Sequence, residues 1–531
     1  MSVSSAASAR PSSWPAALRA RLARHPVSPA ALGLAGLIVL SAVLRGYGLG
    51  HQGFWYDEAN TAQLVRFTPG KMLGLIGQSE STPPLYYCVA WVWARVFGDG
   101  EAGLRSLSVL AGVLVVPVAY ATATTLINRR AGIICAALAA CNPFLIWYSQ
   151  EARSYELLVL LSGLSLLAWS RARAAPSPRP VALWAIFSVL ALATHYYALV
   201  LVLPEAAWLL VDHRARLTVR IAVAVVGVCG AALLPLAISQ NGTGHDGWIA
   251  TAPLGPRLRQ IIPQLLIGTD SPARVAMKYA AFAAALVALG LLAARAGRTL
   301  RERALPAGAL ALGGFAFTLV LIVAGFDDLI TRNIIALWLP AAIVVSAGLA
   351  APAARRVGVA AAAVLCAIGL VATIGIAANR ALQRPDWRPV ARLLGPAPAR
   401  GDRLILVQHY ADLLPLSLYL HDLRRLRTAG ARVSAFDVIS MRSPQQPLCW
   451  WGAACNLIPS AMQRTYRLRG FRPAWRRQSH QFTVLALAAR SPTVVTEAEV
   501  AAALRTTTLR HDELIVQPPS TARRRPQARR V

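Results

Sequence analysis

The stretch ALGLAGLIVLSAVLRGYGLGHQGFWYDEANTAQLVR, Ala31 to Arg66, decides how the rest of the chain is read. Its first part, residues 31–48, carries a single charge, Arg45, and as a helix is long enough to cross most of a ~30 Å hydrocarbon layer. Three aromatics of the kind that gather at membrane interfaces follow, Phe54, Trp55 and Tyr56, and behind them stand two adjacent acids, Asp57 and Glu58. The chain thus leaves the lipid directly into a pair of carboxylates, which raises the question of what they do there.

The whole chain fits that opening. It has 531 residues, 56% of them hydrophobic and only 15% charged, with a mean hydropathy of +0.49. This composition excludes an ordinary soluble domain. The formal charge of +31 comes almost wholly from arginine, Lys71 and Lys278 being the only lysines. Much of it sits in short clusters between apolar runs, where it reads as a topology signal and not as a nucleic-acid surface.

Apolar runs suited to spanning occur at about 31–48, 104–127, 131–147, 155–170, 181–194, 197–211, 220–238, 276–294, 305–324, 334–350 and 357–377. Eleven spans with a cytoplasmic N-terminus put every basic cluster inside: Arg10 to Arg24, Arg129/Arg130, Arg171 to Arg179, Arg214 to Arg220, Arg295 to Arg303, and Arg355/Arg356. The first run has no convincing cleavage site behind it, so it is expected to be retained. The run Pro84 to Phe97 would make a helix of only about 21 Å, too short to cross, and is expected to lie at the outer interface. The first outer loop is then 49–103, with further outer segments at 148–154, His195–Tyr196, 239–275 and 325–333. The long 239–275 segment, with Trp248, Arg257 and Arg259, is expected to act as a mobile lid.

Composition changes after residue 377. A Pro- and Arg-containing linker leads to the strand-like RLILVQ, the helix-like ADLLPLSLYLHDL and the later strand-like FTVLALAA. The expected organisation is a basic cytoplasmic N-terminus (1–30), a membrane domain (31–377), a small extracytoplasmic α/β domain (378–517) and a disordered basic tail (518–531). Within that domain Cys449 and Cys455 could pair as a disulfide or stay free; both readings remain open. The other five cysteines lie in or beside apolar runs, as small hydrophobes.

The notable polar residues collect on one membrane face: Asp57, Glu58, Glu80, Arg105, Glu151, Arg153, His195, Asp327, Asp328 and Arg332. The spans are nearly free of charge, Glu205 being the exception. An ion-coupled transporter needs ionisable groups near the midplane, whereas an enzyme acting on a lipid-linked substrate needs them at the interface. A carboxylate can take the proton of an attacking hydroxyl, and arginine forks suit a phosphate that leaves on a lipid. Taken alone, two acids at a helix N-terminus merely complement its dipole; Arg105 can anchor a helix end, and a single histidine in a turn is commonly hydrogen-bonded structure.

In order along the chain stand FWYDEANTAQLVR, STPPLYY, FGDGEAGLRSLS, YSQEARSYELLVLLS, LATHYYAL and RPDWRPVARLL. This series resembles the C-type (GT-C fold) membrane glycosyltransferases, in the group of the protein O-mannosyltransferases and the lipid A aminoarabinose transferases, over roughly residues 31–400. The resemblance implies a polytopic α-helical membrane protein of about eleven transmembrane helices, in the cytoplasmic membrane, with its C-terminal domain outside. It implies inverting transfer of a sugar from a polyprenyl-phosphate donor to a hydroxyl of a glycan, lipid or protein acceptor, among membrane lipids and with no nucleic acid. Asp57 matches the family's base, with Glu58 beside it as acceptor-binding or base-supporting, both counted as catalytic. Glu151, Arg153 and Tyr155 match the second-loop pattern near the sugar phosphate. Arg332 carries over where relatives show Arg-Tyr, here followed by Asn333, and Arg105 and His195 complete the candidate substrate contacts. No cofactor is required by this reading, although a divalent metal on Asp57 and Glu151 stays open. Thr82 stands where many relatives have His or Lys before the double proline. The competing readings are a flippase or transporter of a lipid-linked sugar, and a non-catalytic scaffold that binds envelope polysaccharide.

Overall fold

A computed structural model describes residues 28–244, 247–407, 413–441, 468–479, 482–503 and 514–519. Cys449, Cys455, the N-terminal arginines and most of the basic tail lie outside the described residues.

Among the described residues, eight helices are long and apolar enough to cross a membrane: Pro29–Gly46, Glu101–Leu126, Tyr155–Ala174, Tyr196–His213, Leu217–Asn241, Arg274–Ala294, Arg298–Val323 and Pro352–Ala378. Arg129–Cys141 and Pro143–Ser149 form a ninth span as a pair bent by 56°. The two remaining expected spans appear as shorter apolar helices, Pro178–Thr194 and Ile335–Leu349. The run after Pro84 forms the expected short helix, Leu85–Phe97.

The bend has a local cause. Pro143 lacks an N–H, so the Ala139 carbonyl loses its helical donor. Arg45 of the first span replaces it: Nη2 donates to Ala139 O at 2.9 Å and Nη1 to Ala140 O at 3.1 Å. The same guanidinium donates to Ser149 Oγ at 2.9 Å and Ser41 Oγ at 2.7 Å, and it is fully buried. Asn142 caps the second half of the pair, accepting from Leu145 N at 3.0 Å. Elsewhere small residues let the helices close up; a Cβ on Gly348 would collide with the Ala288 carbonyl.

The arginine-rich loops meet at one end of the bundle, where Arg303 donates to Ile127 O at 3.0 Å, Arg130 to Arg355 O at 3.0 Å, and Arg173 pairs with Asp212 at 2.8 Å. The acid-bearing loops meet at the other end, under the C-terminal domain. That domain is a six-stranded sheet in the order β2-β6-β1-β3-β5-β4, formed by Asp402–Val407 (β1), Arg424–Arg425 (β2), Ala431–Met441 (β3), Phe471–Ser479 (β4), Phe482–Val495 (β5) and Leu514–Gln517 (β6). Among the described strands only β1 and β3 pair in parallel. RLILV of the strand-like RLILVQ lies on β1 and FTVLALAA lies on β5. The helix expected over ADLLPLSLYLHDL is observed as a short turn of helix, Leu413–Ser417. Its leucines face two ways, with Leu416 and Leu420 in the sheet core and Leu414 and Leu418 against the first loop.

One expectation is corrected here. The 239–275 segment is no loose lid among its described residues: it carries the helix Leu254–Ile267, and Arg257 grips Asp327 through two bonds of 2.6 Å. Gln240 ties the start of this segment down by donating to the Ile76 and Thr82 carbonyls at 3.1 and 3.0 Å.

Candidate active site

Asp57 and Glu58 occupy the first turn of the helix Tyr56–Leu64. Successive helical residues point about 100° apart, so the two adjacent acids cannot face the same way. Glu58 turns inward and is fully buried. Arg105 meets it with a two-bond fork, Nε to Oε1 at 2.7 Å and Nη2 to Oε2 at 2.6 Å, and the Ala152 N–H donates to Oε1 at 2.8 Å. Burial alone would raise the Glu58 pKa; the charge and hydrogen bonds of Arg105, with Arg384 and the Ala152 N–H, bring it below the ordinary value. A carboxylate so occupied has no part in proton transfer. It fastens the acid-bearing helix to the span 101–126 and to the loop 150–154.

Arg105 is corrected in the same way from a substrate contact to a fastener. Beyond Glu58, its donors go to the carbonyls of Leu49 and Gln52, both at 2.9 Å, and of Gly53 at 3.0 Å.

Asp57 turns the other way and remains partly open, with 15% of its side chain exposed. Arg332 reaches it from the far end of the chain, Nη1 to Oδ2 at 3.0 Å. The Arg332 guanidinium lies 5.6 Å from the Tyr155 ring centre, and its Nε has no acceptor. Arg153 completes this side: Nη1 donates to both oxygens of Glu80, at 2.9 and 2.8 Å, and to the Asp57 carbonyl at 3.3 Å. Glu80 also accepts from Asn60 at 2.9 Å. Burial raises the Glu80 pKa, and Arg153 offsets only part of that.

Glu151 sits one residue before the backbone N–H that binds Glu58. It is fully buried; Oε2 accepts from Arg384 Nη2 at 2.8 Å, while Oε1 has no partner. Burial pushes its pKa up to about 7, Arg384 opposing this and Glu58 and Asp57 adding to it. Tyr155 packs edge-on against Tyr148 at 4.9 Å and lies 5.7 Å from the His195 ring. His195 accepts the Tyr197 N–H on Nδ1 at 3.2 Å, which leaves the ring proton on Nε2. Burial, then Arg153 and Arg332, lower its pKa to about 3, so the ring is neutral at neutral pH.

Asp57, Arg153, Tyr155, His195 and Arg332 therefore converge, with Glu151 adjoining. Two contributors were missed. Glu80 was noted without a role, and it is the counter-charge of Arg153. Arg384, within the quoted RPDWRPVARLL, holds Glu151 and lies 4.0 Å from the Trp147 ring centre; a charged residue just beyond the last span was the available signal.

The donor set does not suit the metal left open above. Among the described residues no three His, Cys, Asp or Glu side chains gather as a metal site, and Asp57 and Glu151 each face an arginine.

Two comparisons with known proteins bear on the fold. The family described as Dolichyl-phosphate-mannose-protein mannosyltransferase matches residues 81–238, which include Arg105, Glu151, Arg153, Tyr155 and His195. No curated protein sequence matches the chain. Among solved structures, ArnT from Cupriavidus metallidurans in the apo state is similar with a TM-score of 0.52 at 16% identity, over 86% of this chain and 98% of that one. The same protein bound to undecaprenyl phosphate gives 0.50 at 15% identity, over 85% and 97%. At such identity the likeness speaks for the fold alone, over nearly the whole of the other chain. The chain has the fold of the C-type membrane glycosyltransferases and resembles, within it, the protein mannosyltransferase and aminoarabinose transferase group.

Proposed function

We propose that this chain transfers a sugar from a polyprenyl-phosphate donor to an acceptor hydroxyl, with inversion, at the outer face of the cytoplasmic membrane. The observation that carries the reading is the meeting of a partly open carboxylate, Asp57, with the guanidinium of Arg332 and the backbone-anchored Arg153. Asp57 takes the acceptor proton as the oxygen attacks the anomeric carbon. The bond from that carbon to the phosphate oxygen breaks, and the phosphate leaves on its lipid with one more negative charge. Arg332 has spare donors and is placed to exchange its bond with Asp57 for the phosphate, which frees Asp57 to act as base. Arg153 adds positive charge from a position held by Glu80. Tyr155 and the neutral His195 line the pocket, and Glu151 supports the donor side from beneath. The ArnT structure with undecaprenyl phosphate supports a polyprenyl phosphate as the lipid part of the donor.

A strain lacking this chain, complemented with the wild type or with Asp57→Asn, tests the reading. Mass spectrometry of envelope glycans and polyprenyl-phosphate sugars is expected to show one lipid-linked sugar accumulating in the deletion and in the Asp57→Asn strain, and cleared by the wild type. Normal glycan product from a stably inserted Asp57→Asn protein overturns it.

A further inference from the structure

The path from the first span to Asp57 crosses residues 49–55, which form neither helix nor strand. Their backbone groups still need partners, and side chains from two directions supply them. From the membrane domain, Arg105 takes the carbonyls of Leu49, Gln52 and Gly53. From beyond the last span, Arg388 takes two more: Nη1 donates to Gly50 O at 3.0 Å, and Nη2 donates to His51 O. Tyr419 then accepts the Phe54 N–H on its hydroxyl at 2.8 Å and donates that hydroxyl to Glu101 at 2.9 Å. Asp386 holds the Arg388 guanidinium in place at 3.0 Å.

The fit leaves no slack. A Cβ on Gly53 would stand 2.6 Å from Asp386 Oδ1 and 2.9 Å from the Tyr419 hydroxyl. These side chains are rooted in the sheet domain. Trp387, between Asp386 and Arg388, is almost fully buried, with its ring centre 4.4 Å from that of Phe482 on β5. Leu414 and Leu418 pack on the cluster of Phe54, Ala59 and Ala62. Four residues before Arg388 in the linker, Arg384 holds Glu151. Two of the loops that carry the site, those of Asp57 and Glu151, are thus gripped by one short segment of the C-terminal region.

We infer that the sheet domain is a positioning element of the transfer site, with Tyr419 and Arg388 setting the seat of Asp57 through residues 50–54. The inference rests on Asp57 being the base. Neither Tyr419 nor Arg388 touches substrate in this account; each acts through the backbone leading to Asp57. A misplacement on the order of 1 Å at a reacting group costs about a hundredfold in rate, so loosening this clasp is expected to lower kcat and to leave donor binding nearly intact.

The test uses full-length protein in proteoliposomes, with the lipid-linked sugar that accumulates in the deletion strain as donor. Tyr419→Phe removes one hydroxyl and keeps the ring, while Arg388→Ala removes the grip on Gly50 and His51. Gly53→Ala pushes the clasp open from the other side. Arg66→Gln, which breaks the exposed pair with Asp99 in the same loop, is the control. Amide exchange over residues 50–56 is expected to rise in the three variants and not in the control. Their kcat is expected to fall about ten- to a hundredfold, with KM for the donor within about twofold, and Arg388→Lys is expected to recover part of the loss. Unchanged exchange overturns the clasp; raised exchange with unchanged kcat overturns its positioning role. Loss of folded protein without a kcat change per folded molecule also overturns it. A wild-type protein that transfers nothing marks failure of the proposed reaction itself, separately from any variant.

Discussion

Asp57 and Arg332 are separated by 275 positions in the chain and by 3.0 Å in the fold. In the proposed reaction the pair holds until a donor phosphate arrives, which would offer the arginine a stronger partner and release the carboxylate.

Asp57→Asn is expected to keep the pocket's shape and its donor affinity while lowering transfer by about 10²- to 10⁴-fold, the usual worth of a general base. Parallel measurement of polyprenyl-phosphate binding and of sugar transfer checks this. A variant that loses both together counts against the assigned role.

Arg332→Ala is expected to weaken binding of a polyprenyl phosphate by about ten- to a hundredfold, corresponding to loss of a charged hydrogen bond of about 1.5–3 kcal/mol. Arg332→Lys keeps the charge without the fork and is expected to fall between the two. Titration with polyprenyl phosphate, without sugar, reads this directly; equal affinities in all three proteins speak against a phosphate contact.

Glu58→Ala is expected to act on folding more than on chemistry. It strands the buried Arg105 guanidinium without a counter-charge, a change that costs about 3–5 kcal/mol. Glu58→Gln keeps an acceptor oxygen and is expected to be milder. Thermal unfolding in a single detergent decides, and a wild-type midpoint for Glu58→Ala removes the fastener role.

The Glu151 carboxyl, pushed by burial to about 7 from an ordinary 4.5, links stability to pH. Between those values the folded chain keeps a proton that the unfolded chain has lost. The stabilisation from this group is therefore complete below about 4.5 and is lost as pH rises through about 7. Asp437, raised by burial to about 7 against the opposing pull of Arg403, acts in the same direction. Comparing unfolding midpoints of the wild type and Glu151→Gln from pH 4.5 to 8 isolates the Glu151 part, because Asp437 is common to both. The variant is expected to show the shallower decline; parallel curves exclude the linkage.

Much of the membrane architecture was legible because lipid leaves few options: long apolar runs must become helices, and basic clusters sort to one end. The gathering of Asp57, Arg153, Tyr155, His195 and Arg332 was legible only through the ordered series of motifs, since nothing local ties residue 57 to residue 332. The division of labour between Asp57 and Glu58 was not legible. It follows from the helical turn between adjacent residues together with the position of Arg105, and the latter is a tertiary fact. Arg384 and Tyr419 escaped for a related reason, being ordinary residues in a linker and in the turn after a short helix until the sheet folds over the loops. The 239–275 segment misled by its length, because the grip of Arg257 on Asp327 spans 70 positions.

Arg45 gives the first span a duty that reaches past its own crossing. The kinked span cannot satisfy its own interrupted turn, and in oil no solvent is at hand to do it. Its shape is borrowed from a neighbour, so correct insertion of residues 129–149 depends on the earlier helix already standing alongside. Biogenesis of this protein then has a built-in sequence of events, and Arg45→Met is expected to show itself first as a defect of membrane assembly, ahead of any effect on the reaction.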